Sequence, residues 1–199
     1  MMLELDHIAV GCTDLDEGVA WVEKRLGVSL SEGGEHAHFG THNRLLGLAD
    51  GLYLEVIAKN PHATAAERPT WFDLDNFTGP PRLANWICRT DEIEKVQAIT
   101  GPAVSLTRDD LHWQLTVPDD GSLPMQGGFP SLLKWGAGIV PPSGSLPDSG
   151  CRLTAWEVWH PKADWLRDTV KLNSDIVTFH TGLVGFKARF NTPNGPCAL

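Results

Sequence analysis

The chain has 199 residues, 42% of them hydrophobic, and a formal net charge of -9. That size and apolar content suit a globular protein with a sizeable core, built as one large domain or two small repeated ones. The acidic balance excludes nucleic acid and anionic membrane surfaces as partners, because both are bound through clustered Lys and Arg. No apolar run reaches the roughly 18 residues a membrane span needs. The N-terminus opens on a strand with no charged-then-apolar leader, so a cytoplasmic location is expected. Cys12, Cys88, Cys151 and Cys197 form no CxxC pair. They read as free thiols of a reducing compartment, not as a zinc site.

The first strand is Leu3-Glu4-Leu5-Asp6-His7-Ile8-Ala9-Val10. Thr13-Asp14-Leu15-Asp16-Glu17 then supplies a capping residue and first-turn acids, and Leu15, Val19, Val22 and Leu26 recur at helical spacing. Gly27 ends that helix. Gly33-Gly34 reads as a turn before a histidine-rich stretch, and residues 44–48 read as a strand. Asp50-Gly51 is a hairpin signal, after which Leu52-Tyr53-Leu54-Glu55-Val56-Ile57 is a further strand. The predicted order is strand, helix, three strands.

A connecting stretch, punctuated by Pro61, Pro69 and Pro80-Pro81, carries Trp71, Phe72 and Phe77. The pattern then returns: a strand at 83–88, a helix opened by Thr90-Asp91-Glu92 with Ile93, Val96 and Ile99 on one face, and a Gly101-Pro102 stop. Strands are predicted at 104–106, 112–117 and 131–135. After a Pro/Gly/Ser-rich loop, a third unit has a strand at 153–159. His160-Pro161 starts its helix, with Trp165, Leu166, Thr169 and Val170 as the apolar face, and strands at 176–180 and 185–191 follow. Self-similarity at about 70 to 80 residues makes this an α+β chain of repeated βαβββ modules. The first spans 1–58, a connector 59–82, the second 83–136, and a third strand-helix-strand unit 152–199.

Two residues stand out chemically. His7 and Glu55 each sit alone among core-forming neighbours, at the two ends of the first module. A buried carboxylate costs several kcal/mol unless a cation or donors meet it. A divalent metal is one thing the two could share, and an imidazole with a carboxylate suits Zn, Fe, Mn, Ni or Co. The other reading is a structural ion pair. His36 and His38 share a face if their stretch is a strand, and with His42 they are acid-base candidates near neutral pH. Thr41 and Asn43 read as residues that satisfy backbone groups at a bend. Trp71, Phe72, Trp86, Trp113 and Trp135 fall where the modules should meet, as core or as an aromatic pocket. Arg68, Arg82, Arg89 and Lys134 are candidate anion binders.

The stretches Leu5-Asp6-His7-Ile8-Ala9-Val10, Gly33-Gly34-Glu35-His36, Gly40-Thr41-His42-Asn43, Tyr53-Leu54-Glu55-Val56-Ile57, Arg68-Pro69-Thr70-Trp71-Phe72 and Phe129-Pro130-Ser131-Leu132-Leu133-Lys134-Trp135 resemble a bacterial glyoxalase-like branch of the vicinal oxygen chelate superfamily. The resemblance implies a cup-shaped, half-open mixed sheet with helices outside. It implies a small-molecule lyase, isomerase or dioxygenase. His7 and Glu55 match the metal-ligand places of the first module, and Glu55 and His36 are the catalytic candidates. Trp71, Phe72, Trp86, Trp113, Lys134 and Trp135 are expected to bind substrate. The second module departs from the pattern, offering Asn85 or Trp86 on its first strand and Lys134 where an acid is expected. Lys134 could therefore pair with Glu55 in place of a metal. The alternatives are a metal-free ligand-sequestering protein on the same fold, or an interaction module pairing through its third repeat in a homodimer.

Overall fold

The structure, a computed structural model, describes residues 2–64 and 68–199. Strand β1 (Glu4–Gly11) leads into helix α1 (Leu15–Leu26). Asp14 caps the helix by accepting the Glu17 backbone N–H at 3.0 Å, and Gly27 closes it in the left-handed conformation with φ 70°. Leu15, Gly18, Val22 and Leu26 form its buried face. Strands β2 (Ser31–His36), β3 (Thr41–Leu48) and β4 (Leu52–Lys59) follow, as the pattern predicts. The glycines at 33 and 34 are not a turn, however. They lie inside β2, where its register against β3 slips between Glu32 and Glu35.

The second half repeats the theme with β5 (Arg82–Arg89), α2 (Gln97–Thr100), β6 (Ala103–Arg108), β7 (Leu111–Thr116) and β8 (Ser131–Trp135). Its helix is only a 3-10 turn at Ile93–Val96 plus α2, because Val96 leaves helical geometry (φ -127°, ψ 15°) and Gly101-Pro102 follow at once. The eight strands form one sheet in the order β2-β3-β4-β1-β5-β8-β7-β6. β1 and β5 pair antiparallel at its centre, and each is flanked by the parallel last strand of its own half. The sheet curls into the expected half-open cup. Its edge strands β2 and β6 meet across a seam, which Arg108 bridges by donating to His36 at 3.2 Å.

After the short α3 (Pro142–Ser145), the third unit makes its own sheet, ordered β10-β9-β11-β12, from β9 (Arg152–Trp159), β10 (Val177–His180), β11 (Gly185–Thr192) and β12 (Gly195–Ala198). It does not extend the cup. It packs on the cup's outer face, where Ile8, Val10, Trp86 and Cys88 share one core with Trp156, Val158 and Phe190. This apolar layer lies between the two sheets. Because the layer is covered within this chain, a homodimer is not needed to bury it. Helix α4 (Ala163–Thr169) buries Ala163 and Leu166, with Val170 just beyond it. Trp165, assigned to that face from sequence, is 42% exposed because the buried residues recur at 163, 166 and 170.

A second, smaller core lies inside the cup around Ala9, Phe39, Ile57, Trp71, Phe72 and Leu133. The cysteines at 12, 88, 151 and 197 are all free. Among the described residues no helix is long and apolar enough to cross a membrane.

Candidate functional site

Strand alternation decides what the cup contains. On β4, Tyr53, Glu55 and Ile57 point inward while Leu54 and Val56 join the outer core. On β1, His7 and Ala9 point inward. The polar inward residues converge on a cavity of about 40 Å³ lined by His7, His36, Asn43, Tyr53, Glu55 and Arg108, with Trp71, Phe72, Trp113 and Trp135 as aromatic walls. That volume holds a few waters. A larger recess of about 420 Å³ shares His36, Trp71 and Trp113 with it and is otherwise lined by Ala37, His38, Ser105, Leu106 and Thr107 at the seam. A recess of about 470 Å³ also lies outside the cup, beside Phe77, Arg82 and Phe186, but it contains no facing acid-base pair.

At the floor, His7 Nε2 and Glu55 Oε2 face each other across 3.8 Å, with both residues about 5% exposed. Each is held from behind. His7 Nδ1 is 2.7 Å from Asp6 Oδ1, and the ring stacks on Tyr53 with centroids 4.3 Å apart. Asn43 Nδ2 donates to Glu55 Oε1 at 2.5 Å, while Asn43 Oδ1 accepts the Gly34 backbone N–H at 2.8 Å. Asp6 could not be read as a partner of its own neighbour, because successive strand residues normally point to opposite faces. A register shift between Leu5 and His7 removes that constraint. Burial pushes the Asp6 carboxyl up. The hydrogen bond and charge of His7, the Trp135 indole N–H at 3.0 Å and nearby Arg89 outweigh it, and the group stays below its usual range.

The sequence-based candidates separate cleanly. His7, Glu55, His36, Trp71, Phe72, Trp113 and Trp135 are gathered around the cavity. Trp86 and Lys134 are not. Trp86 alternates with the inward Ile87, is fully buried in the outer core, and donates its indole N–H to Gly127 O at 2.9 Å. Lys134 lies on the outer side of β8, where its Nζ donates to the Asp91 carbonyl at 3.1 Å, so it does not pair with Glu55. His38 is exposed, and His42 is half-buried on the face of β3 opposite Thr41 and Asn43. Thr41 and Asn43, read as bend residues, instead join the site. Thr41 Oγ1 meets both His36 Nδ1 at 3.0 Å and the Trp71 indole N–H at 3.1 Å. Of the candidate anion binders, Arg68 lies over Phe39, Arg82 lies over Phe77, and Arg89 pairs with Glu4 and Asp6. Arg108, which lines the cavity, was not among them.

The register identifies the second half's counterparts of His7 and Glu55. Ala9 pairs with Glu55 on one side and with Asn85 on the other, while Ile87 pairs with His7 and with Ser131. Exchanging β1 with β5 and β4 with β8 therefore puts Asn85 in the place of His7 and Ser131 in the place of Glu55. The acid's counterpart is Ser131, not Lys134. Asn85 Nδ2 donates to Ser131 Oγ at 3.0 Å, and both residues are buried. One half of the cup thus carries an ionisable pair and the other a neutral, mutually satisfied pair. A divalent metal fits this donor set poorly. His7 and Glu55 offer two ligands, one Glu55 oxygen is already occupied by Asn43, and no group of three or more ligating residues exists among the described residues. Catalytic metal sites typically draw on three protein ligands.

His36 is buried between the cup and the seam. Burial, then the charge of Arg108, then His42 and His7, push its ring down to about 3. It therefore stays neutral, accepting from Arg108 at Nε2 and facing Thr41 with Nδ1. The ring is free to titrate near 6.5 once unfolded. Between those values the unfolded chain binds a proton that the folded chain does not, so stability rises with pH across the window. Lowering the pH from 7 to 5 is expected to cost about 2 kcal/mol through this one group. Chemical denaturation at the two pH values should show that loss in the wild type and a smaller one in His36→Gln. An unchanged pH dependence in the variant would show that His36 is not the responsible group.

The fold aligns with a hypothetical protein from Staphylococcus aureus at a TM-score of 0.65 and 16% identity, over 92% of this chain and 88% of that one. A Streptomyces coelicolor methylmalonyl-CoA epimerase in complex with 2-nitronate-propionyl-CoA aligns at 0.45 and 16% identity, over 69% of this chain and 100% of that one. The Mycobacterium tuberculosis methylmalonyl-CoA epimerase aligns at 0.41 and 17% identity, over 66% and 85%. At such identities the likeness is one of fold. No curated protein matches the chain in sequence. Residues 5–171 match the glyoxalase-like domain, and the chain belongs to that family.

Proposed function

We propose that this protein is a small-molecule enzyme that transfers a proton within a substrate held in the cup, with Glu55 as base and His7 as its acid-base partner. The observation that carries this reading is the 3.8 Å gap between His7 Nε2 and Glu55 Oε2, both facing the cavity and both oriented from behind. The gap is too long for a hydrogen bond, so each group can address a substrate atom. Glu55 would take a proton from a carbon beside a carbonyl. The C–H electron pair would pass to the carbonyl oxygen as an enolate, and His7 or the protonated Glu55 would return a proton to carbon. Return of the proton to carbon is isomerase chemistry, and collapse of the same enolate with expulsion of a leaving group from the β carbon would be lyase chemistry. Dioxygenase chemistry calls for a metal held by a facial triad, for which the donor set is short.

Proton NMR in deuterated solvent tests the proposal on a panel of hydroxyketones and oxo acids. Deuterium wash-in at the carbon beside the carbonyl, lost in Glu55→Gln, supports it. Tryptophan-detected binding without wash-in in either protein would instead support ligand sequestration. The walls of Trp71, Trp113 and Trp135 favour that second reading. Elemental analysis provides an independent check on the metal. Dialysed protein should hold well under one divalent ion per chain, with no change in His7→Ala. A full equivalent that disappears in the variant would restore the metal mechanism.

A further inference from the structure

Arg108 sits at the edge of the cup, at the end of β6. Among the described residues no carboxylate comes within 4.0 Å of its guanidinium, whereas Arg44, Arg89, Arg152, Arg167 and Arg189 all have acidic partners. Among the same residues its one side-chain hydrogen bond runs to a neutral acceptor, His36 Nε2, at 3.2 Å. A guanidinium has five N–H donors, more than this one bond uses, and the Arg108 side chain lines the cavity.

The surrounding chain is shaped to admit this side chain. A Cβ on Gly34 would lie 2.9 Å from Arg108 Cδ and 3.1 Å from its Nε. Gly34 also gives its backbone N–H to Asn43, the residue that holds Glu55. The irregular stretch of β2 therefore makes room for Arg108 and braces the base at once. On the other side, His36 accepts from Arg108 at Nε2 while its Nδ1 faces Thr41 Oγ1, so the acceptor is itself held in orientation.

Resting on the proton-transfer reading above, we infer that Arg108 is an anion-binding residue that takes a carboxylate of the substrate, making the substrate a small oxo or hydroxy acid. The carboxylate and the reacting carbon must belong to the same end of the molecule, because Arg108, His7 and Glu55 line one cavity of only about 40 Å³. Any longer remainder would lie in the recess beyond His36, between Trp71 and Trp113. The guanidinium can accept a carboxylate in two parallel hydrogen bonds, which fixes the plane of the acid and hence where its neighbouring carbon points. It also places a positive charge where enolate charge develops.

Isothermal titration with oxalate, and with neutral oxamide as its isostere, tests the inference on the full chain. Wild type should bind oxalate in preference to oxamide. Arg108→Gln should weaken oxalate by about 10- to 100-fold, the loss of a charge-assisted contact, while leaving the oxamide response unchanged. Arg108→Lys keeps the charge but not the fork and should fall between the two, and it decides the matter if the glutamine variant does not fold. Equal binding of oxalate and oxamide by wild type, or undiminished oxalate affinity in a folded Arg108 variant, overturns the inference. Glu55→Gln separates it from the proton-transfer reading. That variant should keep or strengthen oxalate binding, so an Arg108-dependent site without wash-in leaves the subsite standing, and wash-in without Arg108 dependence leaves only the enzyme.

Discussion

Glu55→Gln is expected to reduce proton exchange by about 10²- to 10⁴-fold, the usual contribution of a positioned general base, with little change in folding. The substitution keeps shape and keeps an oxygen for Asn43, which donates to Oε1 at 2.5 Å. It removes the one feature the chemistry needs, a carboxylate oxygen facing the cavity beside His7. The loss should therefore appear in turnover and not in substrate affinity if Arg108 holds the substrate carboxylate as inferred above. A thermal melt close to wild type together with lost wash-in assigns the effect to chemistry. Retained wash-in at near wild-type rate would show that Glu55 is a structural partner of Asn43 and His7 only.

The contrast with Asn85 and Ser131 is the reason the proposed chemistry is placed in this half of the cup. Both pairs occupy equivalent places on the same pseudo-symmetric sheet. In the second half the amide and hydroxyl satisfy each other and no ionisable group remains. In the first half each polar group is satisfied from behind, by Asp6 or Asn43, and its other atom is left facing the cavity. Buried polar groups are normally fully paired, so two adjacent groups with unused capacity toward a shared cavity stand out.

His7 and Glu55 were legible in the sequence because each is a chemically useful residue flanked by core-forming ones, Leu5, Ile8 and Val10 around His7 and Leu54, Val56 and Ile57 around Glu55. The repeated strand-helix-strand patterning pointed to α+β modules, and the resemblance to the glyoxalase-like family implied that they form a cup. Partners that depend on irregular geometry were not legible. Asp6 required a register shift to bring it onto the side of its neighbour. Asn43 required the β2 slip that presents the Gly34 N–H. Arg108 is 72 residues from His36 in sequence, and only closure of the seam between the two edge strands brings them together. Lys134 and Trp86 were misplaced for a simpler reason. Both lie one residue out of phase with the inward positions of their strands, and a shift of one residue sends a side chain to the opposite face.

Trp86→Ala should be the most damaging core substitution, costing about 3 to 5 kcal/mol, although the residue never touches the cavity. Its fully buried ring couples the cup to the third unit, lying 6.5 Å from the ring of Trp156 and 6.0 Å from that of Phe179. Conservative replacements separate packing from hydrogen bonding. Trp86→Phe keeps an aromatic ring but strands the Gly127 carbonyl that now accepts the indole N–H. Trp156 is also fully buried, yet its indole nitrogen has no hydrogen-bond partner among the described residues. Trp156→Phe removes an unsatisfied donor as it removes volume. Trp86→Phe should therefore be the worse of the two by about 1 to 3 kcal/mol, the cost of leaving a buried polar group unpaired. Urea denaturation of both variants measures the difference. Equal losses would mean that ring volume alone joins the two layers. The expected order would mean that the Trp86–Gly127 bond, made within the second half, adds to the ring packing by which Trp86 joins the third unit to the back of β5.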